Sequence, residues 1–200
     1  MSDCRSEQQH QDTASPGQSP GQSPGQSPGQ SPGTLLPCDS SVVAVLVTNN
    51  DRCLVAIAPI AVGTVLFSIT GRETPTPTRY SLQVGATLHL DQDCARSEDE
   101  VVQCYFWRYM NHHCEPTVDI HDRAVRARRT IQVGEAITFD YNTTELDMAE
   151  PFACHCGSPE CLGIVRGARH LSPAQRRRVA DQLSPWLLDT TTAAGGSGFP

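Results

Sequence analysis

From residue 42 onward, apolar residues come in short runs separated by turn sequences. The run SVVAVLVT is continuous, rich in β-branched residues and followed by the turn sequence NND. CLVAIAPI and GTVLFSIT come next and have the same character. Short apolar runs between turn signals are typical of buried β-strands, whereas helices need longer periodic segments. The pattern predicts one mainly β domain.

Later segments add strands and one helix. RYSLQVG and ATLHLD flank Gly85 like the arms of a hairpin, and AVRARRTIQVGEAITFDYN contains two short strands joined by QVGE. Between these segments, residues 97–110 carry apolar side chains at helical spacing and are predicted to be helical. The apolar positions are Val101, Val102, Tyr105, Phe106 and Tyr109.

The C-terminal segment LSPAQRRRVADQLSPWLL carries the start signals of a helix. Ser172 is a suitable N-cap, Pro173 occupies the first helical position, and Gln175 can complete a capping box. Pro185 should break or end this helix. Residues 166–189 are therefore predicted to form a helical extension, followed by a disordered tail over residues 190–200.

The N-terminal segment is dominated by a repeat. Residues 15 to 33 repeat the unit SPGQ without a single apolar side chain. Such a segment cannot bury enough surface to offset the conformational entropy of folding. We therefore expect residues 1–37 to be a disordered tail.

Charge and hydropathy narrow the classes of partner. A formal charge of −7 argues against direct nucleic-acid binding, which needs a basic surface, and suits a cationic partner better. The chain shows neither a signal-peptide pattern nor an apolar run of membrane-spanning length. We expect a monomeric intracellular protein with no membrane partner, in the cytoplasm or the nucleus.

The chain has nine cysteines, and their clustering favours a metal site over disulfides. Cys154, Cys156 and Cys161 fall within the tight turn CHCGSPEC, but a closed zinc site takes four ligands. The fourth could be His155, or Cys114 from a distant segment. Cys114 is the better candidate, because alternation along the chain points His155 away from its neighbours. The alternative is that all three are reduced loop cysteines.

Cys114 belongs to a second dense cluster, RYMNHHCEPT, over residues 108–117. Its adjacent histidines, asparagine and cysteine are compatible with metal binding, with a Cys/His nucleophile, or with holding a ligand. A Cys114 nucleophile would need a third residue that orients the histidine, and none is evident in the sequence.

Taken in order, RYMNHHCEP, VGEAITFDYN and CHCGSPECLG resemble the motifs of SET-domain protein lysine methyltransferases over about residues 42–164. The resemblance implies a SET-domain β-clip with a pseudoknot over residues 40–148 and a zinc-binding post-SET segment over residues 149–165. It also implies methyl transfer from S-adenosylmethionine to the ε-amine of a lysine in a protein or peptide. A histone is one candidate substrate.

The same resemblance assigns roles by position. Tyr141 corresponds to the catalytic tyrosine, and Asn111 and His112 to residues that hold the amino-acid and adenine portions of the cofactor. The remaining implied cofactor-binding residues are Arg108, Tyr105, Phe152 and Leu162. The implied zinc ligands are Cys114, Cys154, Cys156 and Cys161.

The sequence departs from the family pattern in two places. Asp51 and Cys53 stand where the family has two glycines whose backbone lies against the cofactor, and their side chains enter that space. The insert over residues 71–104, which in the family builds one wall of the substrate groove, is short. Two alternatives follow: a catalytically silent SET-like binding module, and a methyltransferase acting on a small amine.

Overall fold

The computed structural model describes residues 33–48, 51–93, 95 and 97–188. The expected tail over residues 190–200 and nearly all of the SPGQ repeat lie outside the described residues. Within them the chain forms short strands in several small sheets, with only short helices, so the predicted fold class is confirmed. No helix in the described ranges has the length and apolar character needed to cross a bilayer.

The first sheet corrects one predicted boundary. It contains β1 (Thr34–Leu36), β2 (Val43–Thr48) and β3 (Asp51–Ala56), in the antiparallel order β1-β2-β3. The tail was expected to extend to residue 37, but β1 pairs with β2, with Leu36 opposite Val45. The boundary differs because the apolar residues of TLL, directly after the repeat, pair with strand β2.

The other strands are β4 (Val65–Ser68), β5 (Arg72–Thr74), β6 (Leu82–Gly85), β7 (Leu88–Asp91), β8 (Asn111–His112), β9 (Val118–His121), β10 (Ala124–Ala127), β11 (Thr138–Phe139), β12 (Phe152–Ala153) and β13 (Ile164–Val165). The insert forms the sheet β5-β7-β6, which contains the predicted hairpin around Gly85. A further sheet has the order β4-β10-β9, and β12 pairs with β13.

The helices follow their capping signals. Helix α1 (Glu98–Cys104) begins at Ser97, whose side chain accepts the N–H of Glu100. The prediction of one helix over residues 97–110 was wrong, because Tyr105 leaves helical geometry and a separate 3₁₀ turn follows. Helix α2 (Pro173–Arg178) has the predicted capping box between Ser172 and Gln175. Pro185 does not end it, because the helix stops at Arg178 and Pro185 begins another helical turn over residues 185–188.

Two apolar clusters support these elements. The larger lies among the sheets and includes the fully buried Leu54, Ile69, Leu90, Met110 and Ile137. The smaller lies under the C-terminal extension and comprises Ala168, Val179, Leu183 and Leu187. The C-terminal extension therefore packs around a small apolar core of its own.

One pairing joins two motifs that are distant in sequence. Strands β8 and β11 run parallel, with Asn111 opposite Thr138 and His112 opposite Phe139. His113 extends the pairing by donating its N–H to the carbonyl of Phe139 at 3.1 Å. The segments NHH and FDYN are thereby neighbours, while the pseudoknot itself stays a prediction.

Candidate functional site

Tyr141 directly follows the strand that pairs with Asn111 and His112. Its hydroxyl donates to the carbonyl oxygen of Met110 at 2.9 Å, and its ring lies 4.6 Å from that of Phe139. Burial, and then the nearby charge of Glu145, raise the pKa of the Tyr141 phenol above its usual value. Tyr141 therefore stays protonated at physiological pH and acts as a neutral hydroxyl.

His112 connects Tyr141 with the cysteine cluster. Its side chain is only 2% exposed. Nδ1 accepts the backbone N–H of Tyr141 at 3.2 Å, and Nε2 lies 3.3 Å from Sγ of Cys114. Burial, followed by the neighbouring His113, lowers the pKa of His112 to about 4. The ring is therefore neutral, and because Nδ1 accepts, the proton belongs on Nε2.

Asp140 stabilises the turn around Tyr141 from the protein interior. Its Oδ1 accepts both the backbone and the side-chain N–H of Asn142, at 3.0 and 2.8 Å. The same oxygen lies 3.6 Å from Nδ1 of His112. Burial raises the pKa of Asp140, whereas its hydrogen bonds to Asn142 oppose that shift. The buried carboxyl is thus committed to holding this turn.

Phe152 covers the outer side of the site. Its ring centroid is 5.8 Å from that of His112 and 5.9 Å from that of Tyr141, both in edge-to-face contact. The residue is 36% exposed, so an apolar face remains open to solvent. Asn111 is exposed as well, and its side chain makes no hydrogen bond with the described residues. An open aromatic face and an amide without a partner in the described ranges are each groups that can contact a ligand.

Four cysteines meet next to this site. The Sγ atoms of Cys114, Cys154, Cys156 and Cys161 all lie within 4.8 Å of one another, and those of Cys114 and Cys154 are 4.0 Å apart. Thiolates about 2.3 Å from a tetrahedral zinc ion would be separated by about 3.8 Å, so the arrangement fits zinc. His155 is exposed and is not part of the cluster.

The protonation of one thiol also suits a metal. Burial pushes the pKa of Cys156 upward, but hydrogen bonds involving Cys114, Ser158 and the neighbouring thiols outweigh it and bring the pKa to about 6. Cys156 is thus the most readily ionised thiol of the cluster, whereas burial raises the pKa of Cys114 and Cys154, which would lose their protons on binding zinc. Leu162 packs against this cluster, and its N–H reaches Sγ of Cys114 at 3.4 Å.

Arg108 and Tyr105, the other two implied cofactor residues, contact neighbouring parts of the fold, and their roles stay predictions. The guanidinium of Arg108 stacks on the ring of Tyr80 at 4.6 Å and donates to the side chain of Gln92. Tyr105 caps helix α1 and packs against the main core. Arg108 therefore contacts the insert, and Tyr105 contacts the core.

Asp51 and Cys53, aligned above with the two glycines of the family pattern, lie at the start of β3. Asp51 is exposed, and Cys53 is half-buried with its pKa raised by burial and then by Asp51. Arg52 between them pairs with Glu98 and lies 6.0 Å from the ring centroid of Tyr109. A ligand approaching this strand from solvent would meet the Asp51 carboxylate.

Sequence reasoning missed Glu145 and Gln83. Glu145 is buried, and its Oε1 accepts the backbone N–H of Gln83 at 2.7 Å, while Oε1 of Gln83 accepts the N–H of Leu146 at 2.9 Å. This reciprocal pair, here called the Gln83–Glu145 clasp, ties strand β6 to the chain just beyond Tyr141. Glu145 lies in the polar stretch NTTELD, where no periodicity or motif would single it out.

Comparisons with known proteins agree with the motifs. Residues 51–142 match the family model of the SET domain. Methyltransferase flvH of Aspergillus flavus is 33% identical over 148 residues, which cover 71% of this chain and 74% of that protein. Histone-lysine N-methyltransferase ash1 of Drosophila melanogaster is 34% identical over 68 residues, which cover 30% of this chain and 3% of that protein.

Similarity to solved structures is weaker. A crystal structure titled KRYPTONITE in complex with mCHH DNA, H3(1-15) peptide and SAH gives a TM-score of 0.46 at 19% identity. The match covers 60% of this chain and 28% of that one. The sequence match to the Aspergillus flavus protein, which extends over most of both chains, is the stronger finding.

Proposed function

Since the chain belongs to the SET-domain methyltransferase family, we propose that it transfers a methyl group from S-adenosylmethionine to the ε-amine of a lysine in a protein. The observation that carries this proposal is the Tyr141 hydroxyl, held 2.9 Å from the Met110 carbonyl next to Asn111 and His112. The hydroxyl oxygen of Tyr141 and the carbonyl oxygen of Met110 lie close together. Such a pair of oxygens can stabilise the partial positive charge that a methyl group carries during transfer.

Within this proposal the protein mainly aligns the reactants. Bound S-adenosylmethionine supplies an activated methyl group on a sulfonium. The displacement requires a neutral amine in line with that group, and positioning is worth much of the rate enhancement. In this proposal the amide of Asn111 would bind the amino-acid part of the cofactor, and Phe152 and Leu162 would cover it. His112 contributes through its backbone and by holding Tyr141, because its ring is fully engaged within the protein.

Cys114, Cys154, Cys156 and Cys161 would hold a structural zinc ion. Zinc bound by four protein thiolates has no open coordination position, so it takes no part in the chemistry. Its role would be to fasten the segment over residues 149–165 to the strand that carries Asn111 and His112. This fits the hydrogen bond between Leu162 N–H and the Cys114 thiol.

The substrate is the finer part of the proposal. A net charge of −7 suits a basic protein or peptide, with a histone as one candidate. The Drosophila relative is named as a histone-lysine methyltransferase, although this chain spans only 3% of it. An intracellular location, in cytoplasm or nucleus, is proposed because the four thiols must stay reduced to bind zinc.

One observation favours a second candidate, methylation of a small amine. Strand β6 is an edge strand of the insert sheet, which builds a wall of the substrate groove in the family. An extended peptide that adds to such an edge needs free backbone groups. The outward N–H of Gln83 on this edge is already bonded to Glu145. A small amine would not need that edge.

The test combines binding with a search for the acceptor. Calorimetric titration with S-adenosylmethionine should give measurable heat at concentrations up to about 1 mM, the upper range of common KM values. Absence of heat there would favour the silent binding module, for which Asp51 and Cys53 would be the reason.

The acceptor search uses tritiated S-adenosylmethionine with core histones, free lysine and butylamine. We expect tritium in the histone fraction, with inhibition by S-adenosylhomocysteine. Label in butylamine or free lysine alone would replace the protein substrate with a small amine. Label in none of them, despite cofactor binding, would contradict amine methylation as proposed.

A further inference from the structure

An amine acceptor arrives at Tyr141 with a positive charge. The pKa of a lysine side chain is about 10.4, so the ammonium form dominates at neutral pH. Burying that charge without an anion is costly, and the amine must also lose a proton before it can attack the methyl group. A carboxylate that no other group has already engaged would meet both needs.

The other acidic groups near Tyr141 are engaged or sealed from solvent. Asp140 binds Asn142 through Oδ1, and although its Oδ2 has no hydrogen-bond partner among the described residues, the side chain is wholly buried and out of reach of a ligand. Glu150 pairs with Arg79, with 3.7 Å between Oε2 and Nη1. Asp147 pairs with Arg169 and His170 at 2.6 and 2.8 Å.

Glu145 differs from these groups. It is only 7% exposed, and no cation among the described residues pairs with it. Its Oε1 accepts from the N–H of Gln83 and from the Thr144 hydroxyl, at 2.7 and 3.3 Å, whereas Oε2 accepts no hydrogen bond from the described residues.

Glu145 is also fixed close to the proposed catalytic tyrosine. Its backbone N–H donates to the carbonyl of Tyr141 at 2.9 Å, and its side-chain charge acts on the Tyr141 phenol. A buried carboxylate without a counter-ion is expensive to maintain, and such groups cluster at functional sites.

We propose that Glu145 receives the ammonium group of the acceptor beside Tyr141 and takes up its proton before methyl transfer. This inference rests on the proposed function. One N–H bond of the ammonium breaks and an O–H bond forms on Oε2, which leaves a neutral amine and a neutral carboxylic acid. The nitrogen lone pair then forms the new N–C bond as the S–C bond breaks, and the product carries the positive charge.

The surroundings of Glu145 favour this transfer. In a water-poor site a neutral acid and amine avoid the desolvation of two charges. Burial raises the pKa of Glu145 to about 7, against the opposing hydrogen bonds from Gln83 and Thr144. The carboxyl can therefore alternate between the two protonation states near neutral pH.

The basic groups on neighbouring elements are paired with other acids or are neutral, so they do not neutralise the Glu145 carboxylate. Arg79, from the insert, acts on Tyr141 but is paired with Glu150. On the adjacent strand β7, His89 lies opposite Gln83, and burial lowers its pKa, so it is neutral. Arg169 and His170, from the C-terminal extension, are paired with Asp147.

The competing explanation is that Glu145 only holds the clasp, and two variants separate these roles. Glu145→Gln keeps an oxygen that can accept the Gln83 N–H but loses the charge and the proton-accepting ability. Gln83→Ala removes the side chain that binds the Leu146 N–H and leaves the carboxylate in place. Asp181→Asn serves as a matched control, because Asp181 is an exposed acid paired with Arg128 and lies in the C-terminal extension.

The experiment measures methyl transfer from tritiated S-adenosylmethionine to core histones and to butylamine between pH 6 and about 9. We expect Glu145→Gln to lower kcat/KM for the amine about 100-fold, with an unchanged KM for S-adenosylmethionine. The inflection near pH 7 in the wild-type profile should be absent from this variant. Gln83→Ala should lose far less activity, and Asp181→Asn none.

Stability gives a readout independent of activity. Because Glu145→Gln removes a buried ionised carboxyl, its melting temperature at pH 8 should equal or exceed that of the wild type. Wild-type rates matched by Glu145→Gln, or a larger loss in Gln83→Ala, would overturn the inference while leaving the proposed function intact. A wild-type protein that methylates no amine would overturn the proposed function and this inference with it.

Discussion

Tyr141 is the residue on which the proposed chemistry depends. Its hydroxyl reaches the Met110 carbonyl, its backbone N–H is held by His112, and its ring packs between Phe139 and Phe152. The hydroxyl makes only one of these contacts. Removing it should therefore alter the chemistry far more than the fold.

We predict that Tyr141→Phe folds normally and loses at least about tenfold in methyl transfer, or changes the number of methyl groups added, because a polar group at the transfer site is gone. Losing one hydrogen bond should lower the free energy of unfolding by about 1 kcal/mol. Tritium transfer and mass spectrometry of the product, together with thermal unfolding, would check both parts.

Tyr80→Phe is the matched control, since the Tyr80 ring would still stack with Arg108 and only an exposed hydroxyl would be lost. Equal activity and an equal product in Tyr141→Phe and the wild type would show that this tyrosine has no part in the transfer.

How far single residues can be predicted depends on where their partners lie in the chain. Tyr141, His112 and the four cysteines could be named because each falls in a short motif. Glu145 could not, since its partner Gln83 is 62 positions away and the contact joins a side chain to a backbone group. Arg108 lies in a motif too, yet its position under Tyr80 depends on packing against the insert.

At the scale of elements, the C-terminal extension is attached to the site through Gly167. The N–H of Gly167 donates to Oδ1 of Asn142 at 2.9 Å, and Ala168 N–H donates to the carbonyl of Glu145 at 2.7 Å. Gly167 has φ of 108°, and a Cβ there would lie 2.5 Å from the carbonyl oxygen of Leu146. Only glycine fits this junction without strain.

Gly167→Ala should therefore lower the free energy of unfolding by about 2–4 kcal/mol, through backbone strain and a steric clash. Urea denaturation would measure the loss. Gly134→Ala is the control, because Gly134 also has a positive φ, of 83°, but open space around its Cα; about 1 kcal/mol is expected there. Equal losses in the two variants would mean that the junction tolerates a side chain.

Elements were predictable where local signals determine them. The capping box of α2 and the β6–β7 hairpin formed as expected, because their residues are adjacent in sequence. Strand β1 was missed because Thr34–Leu36 is too short to be recognised as a strand from its own sequence. It is ordered by its backbone pairing with β2. The break at Tyr105 was missed because apolar spacing alone cannot distinguish an α-helix from an α-helix followed by a 3₁₀ turn.

For the whole molecule, the cysteine cluster is the main tie between distant parts of the chain. Cys114 lies 40 positions before Cys154, and its thiol also meets His112 and the N–H of Leu162. If a metal ion is bound here, its loss would loosen the segment over residues 149–165 and His112, whose Nδ1 accepts the N–H of Tyr141. Stability and activity should therefore fall together.

We predict one tightly bound zinc ion per chain, which elemental analysis of purified protein would reveal. Cys114→Ser should lose that zinc, most of the activity and about 3 kcal/mol or more of stability, since structural zinc binding is worth on the order of 10 kcal/mol. Cys104→Ser is the control, because Cys104 is exposed and outside the cluster. Full zinc retention in Cys114→Ser would contradict the assigned ligand set.

The parallel pairing of β8 with β11 has a consequence for how the protein can be divided. Each strand contributes only two residues, and neither carries the site alone. Strand β8 carries Asn111 and His112, and Tyr141 follows strand β11. A fragment that contains only one of these strands therefore holds only half of the site. The proposed catalytic centre is therefore not a portable peptide motif, and it can be inherited, transplanted or redesigned only together with the sheets that bring its halves into register.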